Sequence, residues 1–133
     1  MNLRPSNQLN LYSLNNELDE LCNLYKNKKL PSKILLSGKK GIGKSTLSYH
    51  LINCILSKNE EFSYNETSHI INDENKTFKL IQNGSNPNFN LIDVGYDKKT
   101  IEINQIRDLV NKINKSSFND KPRFILIDNI EYL

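Results

Sequence analysis

The 133-residue sequence has no tryptophan, one methionine, two cysteines and no long hydrophobic run. Its longest unbroken aliphatic and aromatic stretch, residues 124–127, is far shorter than the ~20 residues that a membrane-spanning helix needs. The first residues also lack the apolar segment of a secretory signal, so we expect a soluble, cytoplasmic protein with no membrane contact. Cys22 and Cys54 belong to no C-x-x-C pair. Neither a zinc site nor a redox pair is therefore predicted, and reduced, partly buried thiols are expected.

Charge of one sign is not in large excess. Eighteen basic and fifteen acidic residues give a net charge of +3, which is too weak to indicate nucleic-acid binding by itself. The length fits one domain. His50 and His69 are expected to be structural or solvated, and the basic cluster of Lys26, Lys28 and Lys29 is read as a solvated helix end rather than a DNA contact.

Hydrophobic periodicity predicts the elements. Apolar residues recur at spacings of three and four over residues 11–25, which indicates a helix with Ser13 as its N-cap. Residues 33–37 form a short aliphatic run that is typical of a strand buried on both faces of a parallel sheet, and a second helix is predicted from Lys44 to Leu56.

The second half of the chain continues the alternation of predicted helices and strands. Residues 57–90 are polar and rich in asparagine, with one weakly helical patch around Phe78 that Asn83 and Gly84 could end. A strand over residues 91–94, a helix over residues 103–113 and a strand over residues 124–128 follow. Strands that alternate with helices predict an α/β fold with a parallel sheet flanked by helices.

A glycine-rich motif lies between the first predicted strand and the second predicted helix. It matches G-x-x-x-x-G-K-[ST] without a gap, and its residues are Gly38, Lys39, Lys40, Gly41, Ile42, Gly43, Lys44 and Ser45. The glycines let backbone N–H groups approach phosphate oxygens, and the following helix adds the positive end of its dipole. The alternative is a glycine-rich turn with solvated lysines.

Each residue type suits ATP or ADP with Mg²⁺. Lys44 is expected to reach the β- and γ-phosphates, Ser45 to ligate Mg²⁺, and Thr46 to donate to a phosphate. Asp128 ends an apolar strand, so its carboxylate is expected to help hold Mg²⁺ at the carboxyl edge of the sheet; the alternative is a cap after the strand. Asp93 also ends an apolar run and is a weaker candidate.

Hydrolysis needs a group that activates water, and the residue after Asp128 is Asn129, whose amide cannot act as a base. Glu131 lies close in sequence and is the remaining catalytic candidate. We therefore predict nucleotide binding with little or no hydrolysis.

Several stretches, taken in order, resemble the N-terminal part of bacterial DNA polymerase III clamp-loader subunits, most nearly the delta prime subunits. The segments that carry the resemblance are the strand entry at residues 30–38, the motif Lys-Gly-Ile-Gly-Lys-Ser, Asn86-Pro87-Asn88 before a strand, residues 101–107 and residues 123–131. Only the ordered set is specific, because very many ATPases share the first motif.

The resemblance implies an AAA+-like P-loop NTPase fold. It also implies a role in a hetero-pentamer that opens the sliding clamp and places it on primed DNA. Delta prime subunits are commonly scaffolding members with weak or absent ATPase activity, which suits Asn129. Many clamp-loader subunits carry a four-cysteine zinc module that this sequence lacks, so no zinc is expected.

The resemblance also suggests an organisation for the chain. Residues 1–30 would be a leading helix, 33–57 a strand, P-loop and helix, 58–90 a polar excursion, and 91–133 a strand, a helix and the strand of Asp128. A later strand of the AAA+ sheet would be missing. We expect a fold that is incomplete at the C-terminus, without the lid and the C-terminal domain.

Three alternatives remain open. A gamma or tau type of clamp-loader ATPase is disfavoured by Asn129 and by the missing zinc cysteines. An unrelated P-loop kinase would use acidic residues after the second helix, where Glu60, Glu61 and Glu66 are available. The third alternative is a non-enzymatic interaction fragment.

Overall fold

A computed structural model describes residues 5–31, 34, 43–93, 107–108, 111 and 121–128. The chain divides into two compact units, Met1–Ser85 and Asn86–Leu133, and each is described by itself. A short 3₁₀ helix, Pro5–Asn7, precedes three helices, which are α1 (Asn15–Lys26), α2 (Lys44–Leu56) and α3 (Lys76–Gln82). Two strands follow, β1 (Phe89–Asp93) and β2 (Phe124–Asp128). Within the described ranges, no helix has both the length and the apolar character that a membrane crossing needs.

Helix α1 confirms the predicted first helix but begins later in the chain. Leu14 precedes its first residue without a side-chain cap bond, and Ser13 has a left-handed φ of 64°, so the prediction of Ser13 as N-cap is wrong. The reason is tertiary. The Leu11 amide donates to the His69 carbonyl at 3.2 Å, and Asn10 forms an antiparallel bridge with Ile70. The chain is therefore extended where the periodicity alone predicted the first helical turn.

Helix α2 has the bounds that the sequence predicted and forms the centre of the first unit. Its sequence is apolar around much of its circumference, which is typical of a helix buried among other elements. It packs against α1, α3 and the 3₁₀ helix. Eight of its residues are buried: Leu47, Tyr49, His50, Leu51, Ile52, Asn53, Ile55 and Leu56.

The asparagine-rich segment after α2 packs onto the first unit. Its Tyr64 and Ile71 side chains are buried, with 7% and 3% of their surface exposed. The predicted helical patch is confirmed as α3, which Asn75 caps at its start and after which Gly84 adopts a φ of 69°. This segment was read from its composition as a polar excursion, yet it contributes side chains to the core.

The second unit contains a two-stranded parallel sheet. Strand β2 coincides with the predicted strand, and β1 begins two residues before the predicted start at Leu91. The register pairs Phe89 with Phe124 and, at the other end, Asp93 with Asp128. A parallel pair needs a crossover connection. Three described residues of the predicted crossover helix, Arg107, Asp108 and Asn111, are helical, and its other residues lie outside the described part of the chain.

The predicted strand over residues 33–37 lies almost wholly outside the described residues. Ile34, the one residue of it that is described, is in no strand and is 43% exposed, so the burial predicted for this position is not observed. The described residues thus form an α/β fold with a small parallel sheet and three helices.

Candidate nucleotide-binding site

Gly43 is the last glycine of the glycine-rich motif and forms the N-cap of α2. Its φ of 93° and ψ of 21° lie in the left-handed region, which L side chains rarely adopt. A Cβ built on Gly43 would stand 3.6 Å from Cδ1 of Leu14, so the strain of a larger residue would come from the backbone and not from a clash. The Gly43 carbonyl accepts the first helical bond, from the Leu47 amide at 2.9 Å. The chain therefore needs glycine at this position in order to turn into α2.

The next three residues, Lys44, Ser45 and Thr46, form the first turn of α2 and are half-buried. The N-terminus of a helix presents unpaired N–H groups and a positive dipole end, both of which suit an anion. An ammonium group and two hydroxyl groups on the same turn provide donors for phosphate and an oxygen ligand for Mg²⁺. The chemistry of the donor set and the left-handed glycine thus fit a magnesium nucleotide, whose binding stays a prediction.

A buried histidine anchors α2 to the rest of the first unit. His50 has no exposed surface, and its Nε2 lies 2.9 Å from the Gln8 carbonyl oxygen, which can only accept. Nε2 therefore carries the proton, and Nδ1 accepts from the Tyr64 hydroxyl at 2.7 Å. The two rings meet edge to face. The prediction of a structural role for His50 agrees with these contacts.

Burial sets the protonation states of His50 and Tyr64. Burial lowers the pKa of His50, against the opposing effect of its bond to the Gln8 carbonyl. Burial also raises the pKa of Tyr64. Both groups are therefore neutral near pH 7, as their mutual hydrogen bond requires.

The end of α2 is fixed by a network of buried polar groups. Nδ2 of Asn53 donates to Oδ1 of Asn75 at 2.9 Å, and Nδ2 of Asn75 donates back to Oδ1 of Asn53 at 3.1 Å. The Ser57 hydroxyl donates to the Asn53 carbonyl at 2.7 Å and accepts from the Tyr64 amide at 3.1 Å. The network joins α2, α3 and the segment between them.

In the second unit, β2 ends at Asp128, where the predicted magnesium ligand lies. Asp93 is its register partner at the end of β1, so both acidic residues lie at the carboxyl edge of the parallel pair. This edge is where ligands of open α/β sheets bind. The position of Asp128 in the strand agrees with the sequence prediction, and its role stays a prediction.

Part of the predicted site falls outside the described residues, as does Asn129, whose amide motivates the prediction of weak hydrolysis. The predicted site residues concerned are Gly38, Lys39, Lys40, Gly41, Ile42 and Glu131.

His69 holds the long segment against α1. It is 8% exposed and adopts a left-handed φ of 56°. Its Nε2 lies 2.8 Å from a carboxylate oxygen of Asp19, and the Asn15 amide donates to its Nδ1 at 3.1 Å. His69 is thus structural, as was predicted.

The structure brings together two cysteines that sequence reasoning kept apart. The Sγ atoms of Cys22 and Cys54 lie 3.2 Å from each other. Both thiols are free, Cys22 buried and Cys54 half-buried, as predicted. Their shared hydrogen bond lowers the pKa of Cys22, whereas the same bond and burial raise the pKa of Cys54. No pattern in the sequence indicated this contact, because 32 residues separate the two cysteines.

The predicted basic cluster is exposed at the end of α1, as a solvated helix end should be. Lys26 forms an ion pair with Glu66 at 2.6 Å, and both side chains are about half exposed. The hydrogen bond from Lys26 to Glu66 raises the pKa of Lys26. Lys28 and Lys29 are exposed beyond it.

Comparison with protein families gives a match to this chain. The chain matches the family described as DNA polymerase III, delta subunit, over residues 14–133, which is most of its length. Comparisons with curated proteins and with solved structures give no match. The match extends from the start of α1 past β2 and confirms the resemblance to DNA polymerase III clamp-loader subunits. The chain therefore belongs to the DNA polymerase III delta subunit family, as a clamp-loader-type subunit of DNA replication.

Proposed function

We propose that this chain acts as a delta prime-like subunit of the clamp loader and binds ATP or ADP with Mg²⁺ through residues 38–46. In this proposal Lys44 neutralises the β- and γ-phosphates, Thr46 donates to a phosphate, and Ser45 and Asp128 hold Mg²⁺. The subunit supports the loading of the sliding clamp.

One observation carries the proposal. Helix α2 begins at Lys44, directly after a glycine in the left-handed conformation, at the point where the motif places the phosphates. A lysine-bearing helix start after such a turn is what an anion-binding nest uses. The position of Asp128 at the end of a parallel strand supports the same proposal independently.

We further propose that hydrolysis is weak or absent. The residue after Asp128 is Asn129, whose side chain cannot take a proton from water. Glu131 is the next carboxylate in the sequence after Asp128, but it does not occupy the position directly after that aspartate. The subunit would then be a nucleotide-binding scaffold among the other clamp-loader subunits of the hetero-pentamer. Contact with the sliding clamp and primed DNA would come through that assembly.

A kinase of the P-loop type is less well supported. It would need carboxylates after α2 to bind the molecule that accepts the phosphoryl group. Glu60, however, accepts hydrogen bonds from the amide and the hydroxyl of Thr77 at the start of α3. Glu66 is paired with Lys26. Of the three acidic residues that the sequence offered, two are thus committed to contacts within the fold, and the family match points elsewhere.

Binding of a fluorescent ATP analogue tests the proposal. Lys44→Ala should abolish binding, because it removes the charge that faces the phosphates, whereas Lys76→Ala, at an exposed position of α3, should leave it unchanged. Equal binding by Lys44→Ala and the unchanged chain would refute the nucleotide site. Turnover comparable to an ordinary ATPase would instead favour the gamma or tau type.

A further inference from the structure

A cluster of three metal-ligand groups lies on the first unit, apart from the glycine-rich motif. Cys22 belongs to α1, Cys54 to α2 and Glu66 to the segment that follows α2. Their ligand atoms all lie within 4.8 Å of one another, and the two sulfurs are 3.2 Å apart. Burial decreases from Cys22 through Cys54 to Glu66. The cluster therefore leads from the interior of the unit to its surface.

We propose that Cys22, Cys54 and Glu66 bind one thiophilic divalent cation such as Zn²⁺, with solvent as the fourth ligand. Zinc takes thiolate sulfur at about 2.3 Å and carboxylate oxygen at about 2.0–2.2 Å in a tetrahedron. Two sulfurs on one such ion stand about 3.8 Å apart, so the observed pair needs to open by only about 0.6 Å. Three protein ligands with water in the fourth position are typical of zinc sites that keep an open position.

A pocket adjoins the cluster and supplies the open position. Its volume is about 480 Å³, and Cys22, Cys54 and Glu66 all contribute to its lining. Lys26 and Lys58 line it as well. A cation can enter from this side, and a water molecule has room to complete its coordination.

Binding of the cation releases protons from the two thiols. Binding breaks two S–H bonds and forms two metal–sulfur bonds, and the two protons pass to the solvent. Two thiolates and the Glu66 carboxylate carry three negative charges against two positive charges on the ion. One net negative charge therefore remains on the site once the ion has displaced the Lys26 ammonium, which lies 2.6 Å from Glu66 in the structure.

The Lys26 ammonium competes with the cation, because it is paired with the Glu66 carboxylate when no cation is bound. Its side chain is 48% exposed and can move into solvent. The site therefore has a built-in cation that a metal ion must displace from the carboxylate. Removal of the Lys26 ammonium should therefore strengthen metal binding, an effect that a pair of thiols with no metal site would not show.

The site does not depend on nucleotide binding. Its ligands join α1, α2 and the segment after α2, so a bound ion would link the leading helix to the helix that follows the glycine-rich motif. A ligand that binds only the folded state raises its stability by mass action. The sequence predicted no zinc, from the lack of a C-x-x-C pair and of a four-cysteine module. The proposal departs from that prediction because the fold brings Cys22 and Cys54 into contact.

Titration of the full, reduced chain with Co²⁺ and then Zn²⁺ tests the proposal. Co²⁺ is used first because its bonds to thiolates give charge-transfer absorption in the near ultraviolet. We expect one Co²⁺ per chain with this absorption, and its loss when Zn²⁺ is added. Cys22→Ser and Cys54→Ser should lose the band, and Glu66→Gln should weaken Zn²⁺ binding about tenfold or more.

Lys26→Gln provides the discriminating variant. It should tighten Zn²⁺ binding several-fold by removing the competing ammonium, while Lys79→Gln, which breaks the similarly exposed pair with Glu74, should change nothing. Absence of the thiolate band in the unchanged chain would overturn the proposal, as would unchanged Zn²⁺ affinity in Glu66→Gln and Lys26→Gln. Formation of an intrachain disulfide without any metal binding would identify a redox pair instead. The Lys26 and Glu66 side chains are about half exposed. The variants Lys26→Gln and Glu66→Gln therefore test the metal site even if a cysteine variant fails to fold.

Discussion

Asn53 and Asn75 exchange two hydrogen bonds between their side-chain amides, at 2.9 Å and 3.1 Å, although 22 residues separate them. Both are buried, with 1% and 0% of their surface exposed. Asn75 also accepts from the Phe78 amide at 2.8 Å and donates to the Phe62 carbonyl at 2.9 Å. One side chain thus caps α3 and ties it to α2.

Replacement of this residue should be costly. Asn75→Ala removes the cap and leaves both the Asn53 amide and the Phe62 carbonyl without their partner. We expect the free energy of unfolding to fall by roughly 2–4 kcal/mol, the sum of a lost cap and unsatisfied buried groups. Urea denaturation followed by circular dichroism measures this.

A second substitution at the same position separates the cap from the pairing. Asn75→Asp keeps an oxygen for the Phe78 amide but directs its other oxygen at two acceptors. Its loss of stability should therefore grow as the pH rises and the carboxyl group ionises. Asn72→Ala, at an exposed position whose side chain accepts from the Glu74 amide, is the matched control. A similar small loss for all three variants would contradict the network.

The packing of α1 gives a second prediction. Leu18 is 1% exposed, whereas Leu24 on the same helix is 37% exposed. Leu18→Ala should cost about 2–5 kcal/mol, because a buried leucine leaves a cavity. Leu24→Ala should cost well under half as much. Equal losses, measured by thermal or urea unfolding, would mean that α1 does not pack on the face that the structure shows.

The bounds of α2 and β2 were predictable because local pattern and local chemistry agree there. A glycine in the left-handed conformation precedes Lys44. An unbroken run of aliphatic and aromatic residues, 124–127, lies directly before Asp128. The start of α1 was mispredicted because Leu11 is apolar at helical spacing but pairs with His69 in an extended conformation. A tertiary hydrogen bond competes with propensity at that point, and periodicity carries no information about it.

The candidate metal site was not predictable for a related reason. Each helix could be identified from its apolar spacing, but spacing within a helix does not say which residues of two helices meet. Cys22 lies on a face that also carries Leu18, and Cys54 lies near the end of a helix that is buried around much of its surface. Only the packing of α1 on α2 brings the two sulfurs together.

Gly43 gives a third prediction. Gly43→Ala should lower the free energy of unfolding by roughly 1–2 kcal/mol, because an L side chain in the left-handed region is strained. The cost would come from the backbone conformation and not from crowding, since a new Cβ would stand 3.6 Å from Cδ1 of Leu14, an ordinary contact distance. Ser48→Ala one turn later in α2 is the control and should be nearly neutral. If Gly43→Ala were as stable as the unchanged chain, the left-handed turn before α2 would be wrong.

The fourth prediction concerns pH and His50. Burial lowers the pKa of His50 in the folded state, so the unfolded chain binds this proton more readily than the folded chain. The stability that comes from the neutral imidazole is therefore fully present above about pH 6.5 and decreases as the pH falls below it. The unfolding free energy should decrease accordingly between pH 7 and pH 5.

His50→Gln isolates this contribution, because it removes the titrating group while His69 stays in both proteins. At pH 7 the variant should be less stable by about 1–3 kcal/mol, since it disturbs the bonds to Tyr64 and to the Gln8 carbonyl. The difference between the two proteins should shrink as the pH falls to 5, because only the unchanged chain must then keep a buried histidine neutral. A difference that stays constant from pH 7 to pH 5 would show that His50 titrates alike in the folded and unfolded chain, against the burial and the hydrogen bonds that hold it.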